Sequence, residues 1–145
     1  MAEMMMEPGR AWVCAPGASL QSIHSLVQAS PWPIPAAILD LLSFSDGGEG
    51  DLPVDPFCFV LDRAEEIKAG LEDCFLLERF PGFLFIGGDG GLERIALDCR
   101  SEPPFPVVAI DPIAGPGSAQ QVARDADQFV DVLGLATSDG TPDDA

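Results

Sequence analysis

"FLFIGGDGGLERIALD", residues 83–98, is the stretch on which the fold turns. Four apolar residues, Phe83 to Ile86, run into Gly87-Gly88-Asp89-Gly90-Gly91, and "LERIALD" follows. A glycine run after an apolar strand can cradle a phosphate, but only where a helix N-terminus comes next. It can instead turn the chain between two strands, because glycine reaches positive φ without a Cβ clash. "LERIALD" is short, alternates apolar and polar residues, and is followed closely by Pro103-Pro104. It therefore reads as a strand, and no Gly-Lys-Ser/Thr is present for a Walker-type loop. The expectation is a hairpin of "GFLFIG" and "LERIALDC", with no phosphate involved.

Around this hairpin the pattern is mixed. "AWVC" reads as a short strand bracketed by Pro8-Gly9 and Pro16-Gly17. From Ser19 a helix is predicted, with Leu20, Ile23, Leu26 and Val27 on its apolar face, ended by "SPWPIP". A second helix runs from about Pro35 to Phe44 on Ile38, Leu41 and Leu42. "FCFVL", 57–61, reads as a buried strand. Asp62-Arg63-Ala64-Glu65 fits a capping box for a third helix over roughly 63–73. "FPVVAID", 105–111, is another strand. Ser118-Ala119-Gln120-Gln121 fits a second box, opening a helix with Val122, Ala126, Phe129, Val130 and Leu133 in one stripe and Gly134 as its stop. Strands clustered by short turns, with helices between, predict a single α+β domain: a mainly antiparallel sheet with helices packed on it. Its parts are an N-terminal extension (1–17), the domain (18–134) and a flexible acidic tail (135–145).

Composition narrows the function. The 145 residues suit one domain, and 47% hydrophobic content is too high for a disordered chain. Twenty-four acids against seven bases give a formal charge of −17, which repels nucleic acid and anionic lipid and attracts basic proteins. The same charge also serves plain solubility. No apolar run approaches the ~20 residues of a membrane span, and "MAEMMMEPGR" has no signal-peptide pattern, so a cytosolic protein is expected. Cys14, Cys58, Cys74 and Cys99 are widely spaced among apolar neighbours and read as buried free thiols; a disulfide or metal pair is the alternative.

No catalytic set stands out. His24 is the only histidine and reads as a helix-surface or boundary residue, so a histidine-based metal site or triad has no basis. The loop "SDGGEGDLPVDP" holds Asp46, Glu49, Asp51 and Asp55 and no base. It fails the calcium-loop template, with glycines third and fifth from Asp46. Three readings stand for it: a solvated loop, a contact surface for a basic protein, and a metal site. No cofactor is called for.

Four of these segments, taken in order, resemble the SUKH superfamily, the α+β domains related to fungal cell-wall-synthesis regulators of the Smi/Knr type. They are "IPAAILDLLSFSDGGEG" (34–50), "FIGGDGGLERIALD" (85–98), "PVVAID" (106–111) and "ADQFVDVL" (126–133). The resemblance covers about residues 18 to 134, with Asp46 where the family usually carries Asn. It implies an immunity protein of a bacterial polymorphic toxin system, which binds a cognate toxin domain, often a nuclease, and neutralises it without catalysis. A basic nuclease cleft suits an acidic partner. Charge and turn exposure then put the toxin contacts at Asp46, Glu49, Asp51 and Asp55 in the loop, and at Asp89 and Glu93 on the hairpin. The alternatives are a regulatory or scaffold module of the same fold binding a cellular protein, and an enzyme or small-ligand binder using a pocket on the sheet.

Overall fold

A computed structural model describes residues 11–135. The predicted hairpin forms its centre. Strand β4 (Phe83–Gly88) pairs antiparallel with β5 (Arg94–Asp98), and Asp89 N–H reaches the Glu93 carbonyl at 3.1 Å to close the turn. Gly90 has φ +83°, the left-handed geometry that favours glycine. Gly87 serves a different purpose. A Cβ there would run into the Val60 carbonyl oxygen of the neighbouring strand and come within 2.8 Å of the Phe59 ring. The glycine run therefore turns the chain and also lets two strands approach closely.

The sheet has seven antiparallel strands in sequence order: β1 (Trp12–Cys14), β2 (Gly48–Asp51), β3 (Cys58–Leu61), β4, β5, β6 (Val107–Ile110) and β7 (Gln120–Ala123). Between β1 and β2 lie helices α1 (Leu20–Ala29) and α2 (Ala36–Phe44); between β3 and β4 lie α3 (Ala64–Leu71) and α4 (Cys74–Arg79); α5 (Ala126–Val132) follows β7. The α+β class, with a mainly antiparallel sheet and helices packed on it, is what the sequence predicted. The sheet already begins at Trp12, inside the segment read as an extension. Residues 1–10 and the tail from 136 lie outside the described residues.

One sheet face carries the main core. Phe59, Leu61, Leu84, Ile86, Ile95, Leu97 and Val107 pack there against Leu26 of α1, Ile38, Leu41 and Leu42 of α2, Ile67 of α3 and Phe129 of α5. Phe59 and Phe129 meet edge to face at 4.9 Å. The other face is covered only in part, where Phe83, Phe85, Ala96, Val108 and Ile110 pack with Phe80 and Leu76 from α4. Burial on both faces explains why β4 is apolar throughout.

Five expectations need correction. Of the predicted apolar face of α1, Leu26 is buried and Ile23 packs against the core, but Leu20 and Val27 are exposed. Residues 120–123 form strand β7, not the start of a helix; α5 begins at Ala126, where the Asp125 carboxylate accepts from Gln128 N–H at 2.8 Å. The third helix is two, because the chain breaks at Glu72–Asp73 and Asp73 caps α4 through Leu76 N–H. Its box is shifted by one residue: Glu66 accepts from Arg63 N–H at 2.9 Å, and Asp62 pairs elsewhere. Of the four free thiols only Cys99 is buried; burial, aided by the nearby Asp98 charge, pushes it up to about 12.

Ser45, fully buried after α2, ties β1 to the β2 turn. Its hydroxyl accepts from Ala15 N–H at 3.0 Å and from Trp12 Nε1 at 3.3 Å, and donates to the Gly47 carbonyl. Ser45→Ala leaves the buried Gly47 carbonyl and the part-buried Ala15 N–H and Trp12 Nε1 without this partner, so it should destabilise by about 2 kcal/mol. Urea denaturation of the variant checks this, and a loss below about 0.5 kcal/mol contradicts it.

Candidate functional site: an acidic sheet face

Among the described residues, the part of the second face left exposed is formed by β1, β2 and β3. Antiparallel register fixes which side chains share it. Val13, Glu49 and Val60 lie in one row across the strands, and Asp51 sits opposite Cys58. Glu49, Asp51 and Val13 are exposed there, Val13 by 66%. Asp55 stands in the β2–β3 loop, and Asp89 and Glu93 flank the β4–β5 turn.

The register brings the two hairpins side by side, since Val60 pairs with Glu49 on one side and with Gly88, next to Asp89, on the other. Burial, reinforced by the charges of Glu49, Asp51 and Asp89, holds the Cys58 thiol above its ordinary value. Glu93 is likewise raised, first by desolvation and then by Asp89, Asp55 and Asp111. Two hairpin loops far apart in sequence thus bring their acids to one region. The same loops expose Val54, Phe57 and Leu92.

No described base answers these charges. Arg63 lies beside Asp46, Lys68 beside Glu72, Arg94 beside Asp62, Arg100 beside Asp98 and Arg124 beside Asp125. Arg79 donates to the Pro112 and Ile113 carbonyls. Glu49, Asp51, Asp55, Asp89 and Glu93 form no ion pair among the described residues. Nor does any group of three or more His, Cys, Asp or Glu side chains among them have the spacing to hold a metal ion.

Asp46 has a different place. Its Oδ1 accepts from Ala64 N–H at 2.8 Å, capping α3 from across the fold, and its Oδ2 lies 3.9 Å from Arg63 Nε. An Asn here would keep the capping acceptor and lose only the charge. Five of the six predicted contact residues are therefore assembled on one surface, and the sixth is engaged in holding a helix. The sequence reading passed over Asp111 and the exposed apolar residues; Asp111 ends the apolar strand "PVVAI", a position at which it could have been noticed. His24 is exposed on α1, apart from this group.

A raised carboxylate binds its proton more readily in the folded chain than in the unfolded one. Its contribution to stability is complete below the unfolded pKa and lost as pH rises through the folded pKa. Asp62, raised mainly by burial against the opposing pull of Arg94, and Glu93 behave this way. Asp98 is the opposite case. Hydrogen bonds from Arg100 lower it, so its contribution disappears as pH falls through its folded pKa. The urea midpoint should rise as pH falls from 7 towards the ordinary carboxylate range and fall again below roughly pH 4. A midpoint that falls steadily from pH 7 contradicts this assignment.

Among the described residues, no helix is long and apolar enough to cross a membrane. No family model and no curated protein matches this chain.

Proposed function

We propose that this chain is a cytosolic immunity protein of the SUKH type that binds a toxin domain with a basic cleft, such as a nuclease, and neutralises it stoichiometrically, without catalysis. The observation that carries the reading is the set of five carboxylates, Glu49 and Asp51 on the sheet face and Asp55, Asp89 and Glu93 in the adjoining loops, that form no ion pair among the described residues, with exposed Val13, Val54, Phe57 and Leu92 on the same elements. Carboxylates can occupy a phosphate-binding cleft in place of phosphates. Close ion pairs at such an interface are worth ~1.5–7 kcal/mol each, and apolar residues at the centre exclude water around them. The order of elements also supports it. Ile34-Pro35 precedes α2, a glycine turn precedes β2, the glycine hairpin joins β4 to β5, "PVVAID" supplies β6, and "ADQFVDVL" supplies α5.

The test is capture of the partner from the source organism's lysate with the tagged chain at low and moderate salt, followed by expression of that partner alone. The expected result is one basic protein at equal stoichiometry that arrests growth alone and not when co-expressed with this chain. Partners that are harmless alone point instead to the regulatory module.

A further inference from the structure

Strand β3 stops at Leu61, so the first half of β4 has no strand on that side, and α3 and α4 lie there instead. The substitution leaves a cavity of about 230 Å³. Its walls are apolar, from Leu71, Leu76, Leu77, Phe80, Phe83 and Phe85. Phe80 and Phe85 stand edge to face at 5.4 Å, so the lining includes aromatic surface. Apolar cavities of ~150 Å³ already stay dry and take a benzene ring. This one has room for a substituted or fused ring.

Asp62, Glu66 and Arg94 break the apolar wall. Asp62 Oδ2 accepts from Arg94 Nη2 at 2.8 Å, while Oδ1 accepts nothing from the described residues. A charged acceptor with a free oxygen at the end of an apolar cavity selects for a donor. An anion would be repelled by Asp62 and Glu66, which outnumber Arg94 in the lining. A purely apolar ring would leave Oδ1 unmatched. We infer that this cavity binds an aromatic ring carrying one O–H or N–H donor, of the phenol or indole class, with the donor on Asp62. The ring comes either from a free small molecule or from a Tyr or Trp side chain of another protein. This site is separate from the acidic face and does not rest on the toxin-binding reading.

Gly70 supplies a clean block. It lines the cavity, and a Cβ there meets Leu76 Cδ2 at an ordinary 3.5 Å, so a side chain can be added at this position without a backbone clash. Leucine also favours the helix over glycine. The test titrates the ¹⁵N-labelled full chain with 4-methylphenol, 3-methylindole and toluene. Saturable amide shifts confined to α3, α4 and β4 are expected, with 4-methylphenol about tenfold or more tighter than toluene. Gly70→Leu should abolish binding while its melting temperature stays equal or rises. N-acetyltyrosinamide binding as well as 4-methylphenol identifies a protein side chain as the source; its exclusion identifies a free molecule. No saturable shift, equal affinity for toluene, or wild-type binding by a folded Gly70→Leu chain overturns the inference.

Discussion

Gly87→Ala should lower the free energy of unfolding by about 4 kcal/mol, near the upper end for a single substitution. One methyl group has this effect because of where it goes. The new Cβ overlaps the Val60 carbonyl and crowds the Phe59 ring, so β3 and β4 must separate. These strands share only the pairs Val60–Gly88 and Leu61–Gly87, continued by one bond from Asp62 N–H to the Ile86 carbonyl at 2.9 Å, so the pairing to hold them is short. Phe59 also stacks on Trp12 and meets Phe129, which carries the disturbance into the main core. The same glycine run contains its own controls. At Gly90 the penalty is the positive φ alone, about 1 kcal/mol. At Gly91 a Cβ finds only Asp89 Oδ1 at 3.5 Å, so alanine should change stability by less than about 0.5 kcal/mol. Urea denaturation of the three variants should rank them in that order; equal effects at 87 and 91 contradict the close-approach role.

The second large effect concerns binding. The triple variant Glu49→Gln, Asp51→Asn, Asp55→Asn should weaken the complex with the captured partner at least about 100-fold, since each lost close ion pair removes on the order of 1.5 kcal/mol or more. Calorimetric titration measures it. Stability should stay within about 0.5 kcal/mol of the wild type or rise, because these side chains hold nothing together and repel one another. Unchanged affinity at physiological salt removes this face from the interface.

The architecture was legible where local chemistry and tertiary packing agree. The apolar run of β4, the glycine turn and the alternation of β5 each point to the same hairpin. The stripe of Ile38, Leu41 and Leu42 likewise placed α2 correctly. Legibility failed where packing chose between locally similar options. Val122 sits four residues before Ala126 and so joins the helical stripe on paper, yet pairing with β6 holds residues 120–123 extended. Helix α4 has six residues, too few to show a period, and Phe75 within it is 71% exposed. The acidic loop was visible as charge. Its sequence could not separate Asp46, which caps α3, from Asp51, which faces outward. Nor could it show that Asp55 and Glu93, from hairpins 38 positions apart, lie close enough to raise a pKa.

The central claim is that the bare acidic sheet face neutralises a toxic partner. The most direct measurement is growth of cells expressing the captured partner together with either the wild-type chain or a variant with Glu49, Asp51, Asp55, Asp89 and Glu93 all changed to their amides. The account predicts growth with the wild type and arrest with the variant, although the variant is folded and present at the same level. Equal protection by the two chains would contradict it.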